Sequence, residues 1–307
     1  MALGFILHAQ RPVIAKTVAV EAPIEKPRIG EGPSGDAVPD LERRTLGDPE
    51  SKTTALDLLL PRDWTLAGGV TWNANPAFLT TLKLAAQSKS GNVVLEFLPA
   101  TSVGQFDALV YLSDASGAQP IPLTGGPFQS PTDYVQRILW PRLRAPTGEP
   151  IITATERLRG VEQALLHDLP AASMPSFQIV AERSRFEYDL DKVRMEEDVY
   201  CVLADWKFEP SSRQWMTERV FSFRAPKGQL DPAVPLLNKI LGSIRLQKDW
   251  AGILLAVQRK AANPGDSPPW PRRPRMPTEE EVAKFTTSTN AIWRAFDAAT
   301  DGPPTDH

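Results

Sequence analysis

Apolar residues in the middle of the chain recur with two spacings, one typical of strands and one typical of helices. Short alternating or continuous apolar runs predict strands, and they lie at 53–60, 82–86, 93–99, 177–181, 185–188, 193–204 and 215–223. Lys89-Ser-Gly-Asn92 and Asp189-Leu-Asp-Lys192 stand between neighbouring runs, and their residue types favour turns. Each of these two segments therefore predicts a β-hairpin.

Helical spacing of apolar residues appears in four segments. They cover 131–140, 155–169, 231–244 and 278–296, whereas 250–257 fits either a strand or a helix. Thr278 and Glu281 have the spacing of a capping box, which predicts the start of the last helix. Pro141 and Pro170 predict where the first two helices end, because proline cannot continue helical hydrogen bonding.

Strand-like runs followed by one helix occur twice, at 56–143 and at 177–250. This order predicts an α+β protein, mostly antiparallel sheet with helices packed on its faces, built as one duplicated domain or as two related lobes. Polar, proline-rich segments on either side predict disordered tails. The expected boundaries are a signal-like remnant and disordered tether at 1–52, a first lobe at 53–170, a second lobe at 171–260, a proline-rich linker at 261–277, an amphipathic helix at 278–298 and a disordered tail at 299–307.

Amino-acid composition and net charge argue against two kinds of partner, nucleic acids and the membrane interior. The 30 prolines in 307 residues agree with unstructured ends, and a net charge of −3 lacks the positive excess that nucleic-acid binding needs. No apolar run approaches the roughly 18 residues of a transmembrane helix. We therefore expect neither a nucleic-acid partner nor an integral membrane segment. Cys201 is the single cysteine, and its apolar neighbours predict a buried thiol.

The first ten residues, Met1–Gln10, read like the last part of a signal peptide. Leu7-His-Ala9 resembles the small-x-Ala end of a cleavage site, but a basic segment is missing and the apolar core is short. Either the start codon lies upstream and the protein is exported, or this apolar start is coincidental. We expect a periplasmic or secreted protein, with a cytoplasmic one as the alternative.

The sequence lacks recognisable motifs for catalysis, metals or cofactors. Its three histidines are His8, His167 and His307, and two of them lie in predicted tails. Asp189-Leu-Asp191 opens like a calcium loop, but Val193 and Arg194 stand where the loop needs an oxygen ligand and a glycine. The glycine pairs lack the spacing of phosphate-binding loops. We predict no cofactor, no metal and no catalytic residue.

Acidic residues concentrate around one predicted hairpin. A hydrolase could use Asp189, Glu196 and Glu197 together with Arg185, if these side chains converge in a pocket that raises the pKa of the acids. The alternative is a solvated hairpin edge, where negative charge prevents association between strands. Both interpretations remain open at this point.

Large apolar residues supply the candidate interaction sites. Trp64 and Trp72 flank Gly68-Gly69, and two indoles so close either cover one core or stack on a ligand. The last helix carries an apolar stripe that either packs on its own domain or enters a partner's groove. The candidate interaction residues on this stripe are Phe285, Ile292, Trp293 and Phe296. The expected partner is another protein or a second copy, and deletion of 261–307 should leave the core folded.

Several phrases resemble known families. Leu60-Pro-Arg-Asp-Trp64 followed by strands around Lys89-Ser-Gly-Asn92 resembles the opening of PsbP-like domains, many of which are bacterial envelope proteins or lipoproteins. Arg185-Phe-Glu-Tyr-Asp189, Glu196-Glu-Asp-Val199 and Arg224-Ala-Pro226 resemble an uncharacterised group of secreted bacterial proteins. The resemblance implies an antiparallel sheet with helices on its faces and a non-enzymatic role in assembly or binding, without site residues to transfer.

Three functions follow from these observations. The first is a non-enzymatic, exported interaction or assembly module of a bacterial envelope or extracellular system. The second is a carboxylate-based hydrolase, and the third is a cytoplasmic structural protein.

Overall fold

The computed structural model describes residues 40–73, 79–106, 109–114, 121–123, 128, 130–144, 147–166, 177–209, 212–262 and 277–299. The predicted signal-like remnant, most of the tether, most of the proline-rich linker and the tail after Ala299 lie outside these residues. The last three residues of the helix predicted at 155–169 lie outside them as well.

The described residues form thirteen strands. They are β1 (Leu41–Asp48), β2 (Thr53–Pro61), β3 (Thr65–Trp72), β4 (Thr80–Gln87), β5 (Val94–Phe97), β6 (Thr101–Phe106), β7 (Leu109–Asp114), β8 (Ile121–Leu123), β9 (Ile151–Arg157), β10 (Phe177–Leu190), β11 (Val193–Glu209), β12 (Ser212–Pro226) and β13 (Arg245–Leu246).

Helices occupy less of the chain. Three consecutive segments are α1 (Pro131–Tyr134), a π-helical segment (Val135–Leu139) and α2 (Trp140–Leu143). The others are α3 (Arg159–Leu166), α4 (Leu230–Gly242), α5 (Lys248–Ala262) and α6 (Glu279–Ala299). Among the described residues, no helix is both long enough and apolar enough to cross a membrane.

Most strands belong to one large antiparallel sheet. Its ten strands include the continuous order β3-β4-β5-β12-β11-β10-β9, and β6 branches from β12 to continue into β7 and β8. Strands β1, β2 and β13 form a separate three-stranded sheet. The large sheet curls into a half-barrel.

The central strands are apolar on both faces, which explains why the sheet stays buried. On β11, Tyr200 and Val202 belong to one core cluster, whereas Cys201 and Leu203 belong to another. Successive side chains of a strand point to opposite faces, so the two clusters lie on opposite sides of the sheet. We call the cluster around Tyr200 the first core and the cluster around Cys201 the second core.

The predicted fold class is wrong. Among the described residues, strand residues outnumber helical ones, 48% against 34%. The curled sheet is accompanied by few helices, so the described part is mostly antiparallel β rather than helices packed on the faces of a sheet. The large sheet joins strands from both expected lobes. β12, from the second lobe, pairs with β5 and β6 from the first, so one sheet contains strands of both.

Both predicted hairpins are confirmed. β10 and β11 pair from Leu190 and Val193 outward, and Asp191 and Lys192 adopt positive φ angles of 48° and 70° between them. Two consecutive residues with positive φ angles form the type of two-residue hairpin turn whose twist matches that of the flanking strands. β4 and β5 pair around the other turn, where Gly91 has a φ of 75°.

Other boundaries differ from the predictions. Residues 41–48 of the predicted tether form β1, because Leu46 packs into the first core. Residues 155–157, predicted as helix, belong to β9, where β-branched residues favour a strand. The ambiguous segment 250–257 lies within α5. The first predicted helix continues past Pro141 to Leu143, after the π-helical segment.

Candidate functional site

The acidic residues proposed for a hydrolase do not converge. Glu196 and Glu197 are neighbours on β11, so their side chains point to opposite faces of the sheet. Glu196 accepts a hydrogen bond from the Gly228 amide at 3.0 Å. Asp189 lies near the hairpin turn with 68% of its side chain exposed. The structure therefore distributes these acids over different environments.

Arg185 also has a different partner from the one proposed. Its guanidinium donates two hydrogen bonds to Asp198, at 2.7 and 2.8 Å, and a third nitrogen lies 2.7 Å from Asp231 in α4. Asp198 is fully buried, and Arg185 is its counter-ion. Since Asp231 lies in the first turn of α4, this arginine links the sheet to the start of that helix.

Glu197 is the centre of a buried charged cluster that the sequence did not reveal. Arg144, directly after α2, donates to both carboxylate oxygens, at 2.9 and 3.2 Å. The Tyr188 hydroxyl donates to the same carboxylate at 2.6 Å. Arg144 also donates to Glu96 on β5 at 2.8 Å. One arginine thus joins the end of the 131–143 helix to two strands of the sheet.

Electrostatics keep Glu197 ionised. Burial raises the pKa of its carboxyl, but the charge and hydrogen bonds of Arg144 outweigh burial, so that the pKa falls to about 2. For Arg144, burial lowers the pKa and Glu197 raises it, with a net increase. A carboxylate with such a low pKa holds no proton to donate at neutral pH. Only 1% of the Glu197 side chain is exposed, so a substrate does not reach it.

A small cavity lies beside this cluster. Its volume is about 10 Å³, and Leu139, Trp140, Arg144 and Glu197 are among the residues that line it. That space holds about one water molecule and no substrate. Arg144 and Glu197 therefore act as a structural ion pair between helix and sheet.

The predicted interaction residues of α6 lie in the protein's own core. Ile292, Trp293 and Phe296 belong to the first core, and the ring centroid of Trp293 lies 5.3 Å from that of Phe97 on β5. Phe285 packs, half-buried, against a third cluster that contains Trp250. In this arrangement α6 packs on its own domain.

The two predicted interaction tryptophans of the first half lie in different clusters. Trp64 is buried in the first core. Trp72 is half-buried beside Trp250, and its indole nitrogen donates to Asp48 at 2.7 Å. Both rings therefore have structural neighbours within the protein.

Sequence reasoning also missed that β9 is one of the edge strands of the large sheet. β9 pairs with β10 on one side, and no described strand pairs with its other side. Ile151, its first residue, is 56% exposed, and side chains along β9 alternate between exposed and half-buried. The β-branched residues of 151–155 favour a strand. The helical spacing of the apolar residues that follow them predicted a helix from residue 155 instead.

The described residues contain no group of three or more His, Cys, Asp or Glu side chains arranged to hold a metal ion. Cys201 is fully buried in the second core, as its apolar neighbours predicted, and burial raises the pKa of its thiol. A thiol in this environment is unreactive, because the thiolate is the reactive form.

No protein-family model matches the chain, and no curated protein or solved structure matches it either. The resemblance to PsbP-like domains therefore stays a prediction.

Proposed function

We propose that the protein is a non-enzymatic interaction or assembly module whose β9 edge pairs with an extended segment of another protein. The observation that carries this proposal is the unpaired outer side of β9 within the described part of the chain. An exposed strand edge presents backbone N–H and C=O groups that a partner strand can pair with.

Hydrogen-bond alternation identifies the outward groups of β9. The Leu158 amide donates to the Ala181 carbonyl at 2.8 Å, directly across the β9–β10 register. In an antiparallel pair, directly bonded positions alternate with positions whose N–H and C=O point away from the neighbour. Counting back from Leu158, the backbone N–H and C=O of Glu156 face β10. The backbone N–H and C=O of Thr155 and Arg157 therefore point away from β10, towards the unpaired side of β9.

The side chains of β9 leave this edge open. Natural edge strands are often protected by lysine, by proline or by a bulge. β9 contains no lysine or proline, and its register shift lies between Ile152 and Ala154. Residues 154–157, beyond that shift, keep a regular register with β10. The Glu156 carboxylate lies 2.8 Å from the guanidinium of Arg183 on β10. This ion pair partly neutralises the negative charge that Glu156 would present to a partner strand.

The partner in this proposal is a different chain rather than a second copy. Antiparallel pairing of two β9 strands through Thr155 and Arg157 would place Glu156 opposite Glu156, and like charges directly opposite are destabilising. Pairing centred on Thr155 would place Arg157 opposite Thr153, which lies in the bulge. A strand with basic or neutral residues opposite Glu156 avoids both problems.

The hydrolase alternative receives no such support. Its candidate acids lie apart, and the pKa of the buried one, Glu197, is lowered rather than raised. A general acid needs a pKa close to the working pH.

The experiment compares Thr155→Pro with Thr155→Val during co-purification from the native host. Proline removes the outward N–H of Thr155 without removing a bond to β10, whereas valine keeps both the N–H and the strand preference. We expect one stoichiometric partner with the wild type and with Thr155→Val, and none with Thr155→Pro.

Hydrogen exchange on the purified complex supplies the second readout. The partner should slow exchange at the amides of Thr155 and Arg157. Equal partner recovery with both variants, or no protection at these amides, would contradict the proposal. A homodimer in size-exclusion chromatography with light scattering, broken by Thr155→Pro, would contradict the choice of partner.

We also propose that the protein is exported. This second proposal rests on the signal-like sequence of Met1–Gln10, which lies outside the described residues. Fractionation of the native host with mass spectrometry of the mature N-terminus tests it. A protein outside the cytoplasm that begins near Gln10 is the expected result. A cytoplasmic protein with Met1 intact would refute export and leave the β9 proposal standing.

A further inference from the structure

A wide cleft separates the turn after β1 from the start of α5 and from the middle of α6. Its volume is about 680 Å³, within the range typical of small-molecule sites. The residues lining it are Lys52, Thr53, Thr54, Leu246, Gln247, Lys248, Asp249, Thr286 and Asn290. Apart from Leu246, every one of these side chains is polar or charged.

Two lysines in the cleft have no counter-ion. Within the described part of the chain, the side chains of Lys52 and Lys248 form no ion pair and no hydrogen bond, whereas Lys227 lies 2.9 Å from Glu187. Asp249 is the one acidic side chain of the lining, so the cleft has one positive charge in excess. The ammonium groups are therefore available to a ligand.

Asn290 adds oriented donors. Its Oδ1 accepts a hydrogen bond from the Leu246 amide at 3.0 Å. Because a backbone N–H needs an acceptor, this bond fixes which end of the amide faces Leu246 and leaves the NH2 group free to donate. Thr286 is buried, and its hydroxyl donates to the Val282 carbonyl at 2.7 Å.

The turn between β1 and β2 places Lys52 at the cleft. Lys52 is the last of the four residues between the paired Asp48 and Thr53, and its φ of 56° is a left-handed conformation found in tight turns, as at Asp191 and Lys192. Glycine adopts this conformation with the least strain.

We infer that this cleft binds a small organic anion through Lys52, Lys248 and the Asn290 amide. The ligand carries a phosphate or carboxylate group, because two ammonium groups and one amide donor line the same cleft and only one carboxylate lines it with them. The volume exceeds what an inorganic ion fills, so the rest of the ligand contacts the threonines. This inference goes beyond the proposed function and does not depend on a partner at β9.

The test measures the melting temperature of the full-length protein in titrations with inorganic phosphate and with citrate. Sodium chloride at matched ionic strength is the control for screening. We expect a saturable increase with at least one of the two anions and none with chloride. The stronger anion identifies phosphate or carboxylate as the recognised group.

Lys52→Gly distinguishes a binding role from a structural one. Glycine relieves the left-handed strain, so the melting temperature without anion should stay equal or rise, while the affinity for the anion falls roughly tenfold. Asn290→Asp keeps an oxygen for the Leu246 amide but replaces the donors with a negative charge, and should weaken binding similarly. Lys239→Gln, an exposed lysine of α4, should leave affinity unchanged.

Two results would overturn the inference. One is the absence of a saturable effect with either anion. The other is an affinity that Lys52→Gly and Asn290→Asp leave unchanged, or that Lys239→Gln lowers as much as they do. Because no partner protein takes part, the outcome is independent of the β9 experiment.

Discussion

The Asp48 carboxylate accepts a hydrogen bond from the indole nitrogen of Trp250 at 2.9 Å, across 202 positions of the sequence. The same oxygen accepts from Trp72 at 2.7 Å and from the Ser51 hydroxyl at 2.7 Å. The other oxygen accepts from the amide of Glu50 at 3.0 Å. One buried acid thus holds together the end of β1, the end of β3 and the first turn of α5.

Replacing this acid should change how stability depends on pH. Burial raises the pKa of Asp48, but hydrogen bonds from Ser51 and the two indoles outweigh it and lower the pKa to about 2. The folded pKa lies below the unfolded value of about 4, so the stabilisation is complete above that pH and disappears as the pH falls towards 2. We expect Asp48 to contribute about 2 kcal/mol of this acid-dependent stability.

Urea denaturation of wild type and Asp48→Asn between pH 2 and pH 7 measures this contribution. The variant should be less stable at pH 7 and should depend less on pH. The carboxylate accepts through both oxygens, whereas an amide has one acceptor oxygen, so in either orientation its NH2 group faces donors of Asp48's partners. Asp189→Asn, at an exposed hairpin position, is the control and should behave like the wild type. Parallel pH curves for wild type and Asp48→Asn would contradict the assignment.

Gly68 and Gly69 should differ sharply in their tolerance of alanine. A Cβ on Gly68 would lie 2.0 Å from the Lys83 carbonyl oxygen, and its φ of 124° suits only glycine. A Cβ on Gly69 would have its nearest contact at 3.8 Å, with the Gly47 carbonyl oxygen. Gly68→Ala should cost roughly 3 kcal/mol or more, whereas Gly69→Ala should change stability by less than about 1 kcal/mol. Thermal denaturation of both variants tests this, and equal losses would refute it.

Removal of Arg144 should leave Glu197 as a buried, uncompensated charge. Arg144→Met should therefore destabilise the fold by about 3–5 kcal/mol. Addition of Glu197→Gln to that variant should restore part of the loss, because the buried charge is then absent. Arg62→Met, whose ion pair with Asp40 is exposed, should cost less than about 1 kcal/mol. A double variant no more stable than Arg144→Met would contradict the pairing.

Side chains of α6 should behave as core residues. Trp293→Ala removes an indole that contacts Phe97 and Phe296, and should cost about 3–5 kcal/mol. Arg294→Ala, exposed on the same helix, should have little effect. Chemical denaturation measures both.

Deletion of 261–307 should prevent stable folding, because it removes α6 from the first core. This differs from the expectation drawn from sequence, in which the core remains folded without these residues. A truncated protein with native circular dichroism and a cooperative transition would show that α6 is dispensable.

Local patterns in the sequence predicted the local parts of the fold. The β10–β11 turn has only two residues between Leu190 and Val193, and the capping box of α6 forms as expected, with Thr278 and Glu281 bonding each other's backbone. Such features depend on residues within one turn, which a single sequence shows directly.

Long-range pairing could not be predicted in the same way. The sequence order suggested two lobes because nothing in β12 indicates that it pairs with β5 and β6. The partner of Glu197 is Arg144, 53 residues earlier, and no spacing rule connects them. The β9 edge was hidden because an edge is defined by the absence of a neighbour, which appears only when the whole sheet is assembled.

The position of β12 determines when the protein can fold during synthesis. Its Phe221–Arg224 end pairs with β5 and its Ser212–Met216 end pairs with β6, so β3 to β8 all join the large sheet through it. β3, β4, β7 and β8 can pair with their sheet neighbours earlier, but β5 and β6 each lack one neighbour until residue 226 has left the ribosome. The edges of β5 and β6 therefore stay open until about three quarters of the 307 residues have been synthesised, which favours binding by chaperones that protect nascent chains.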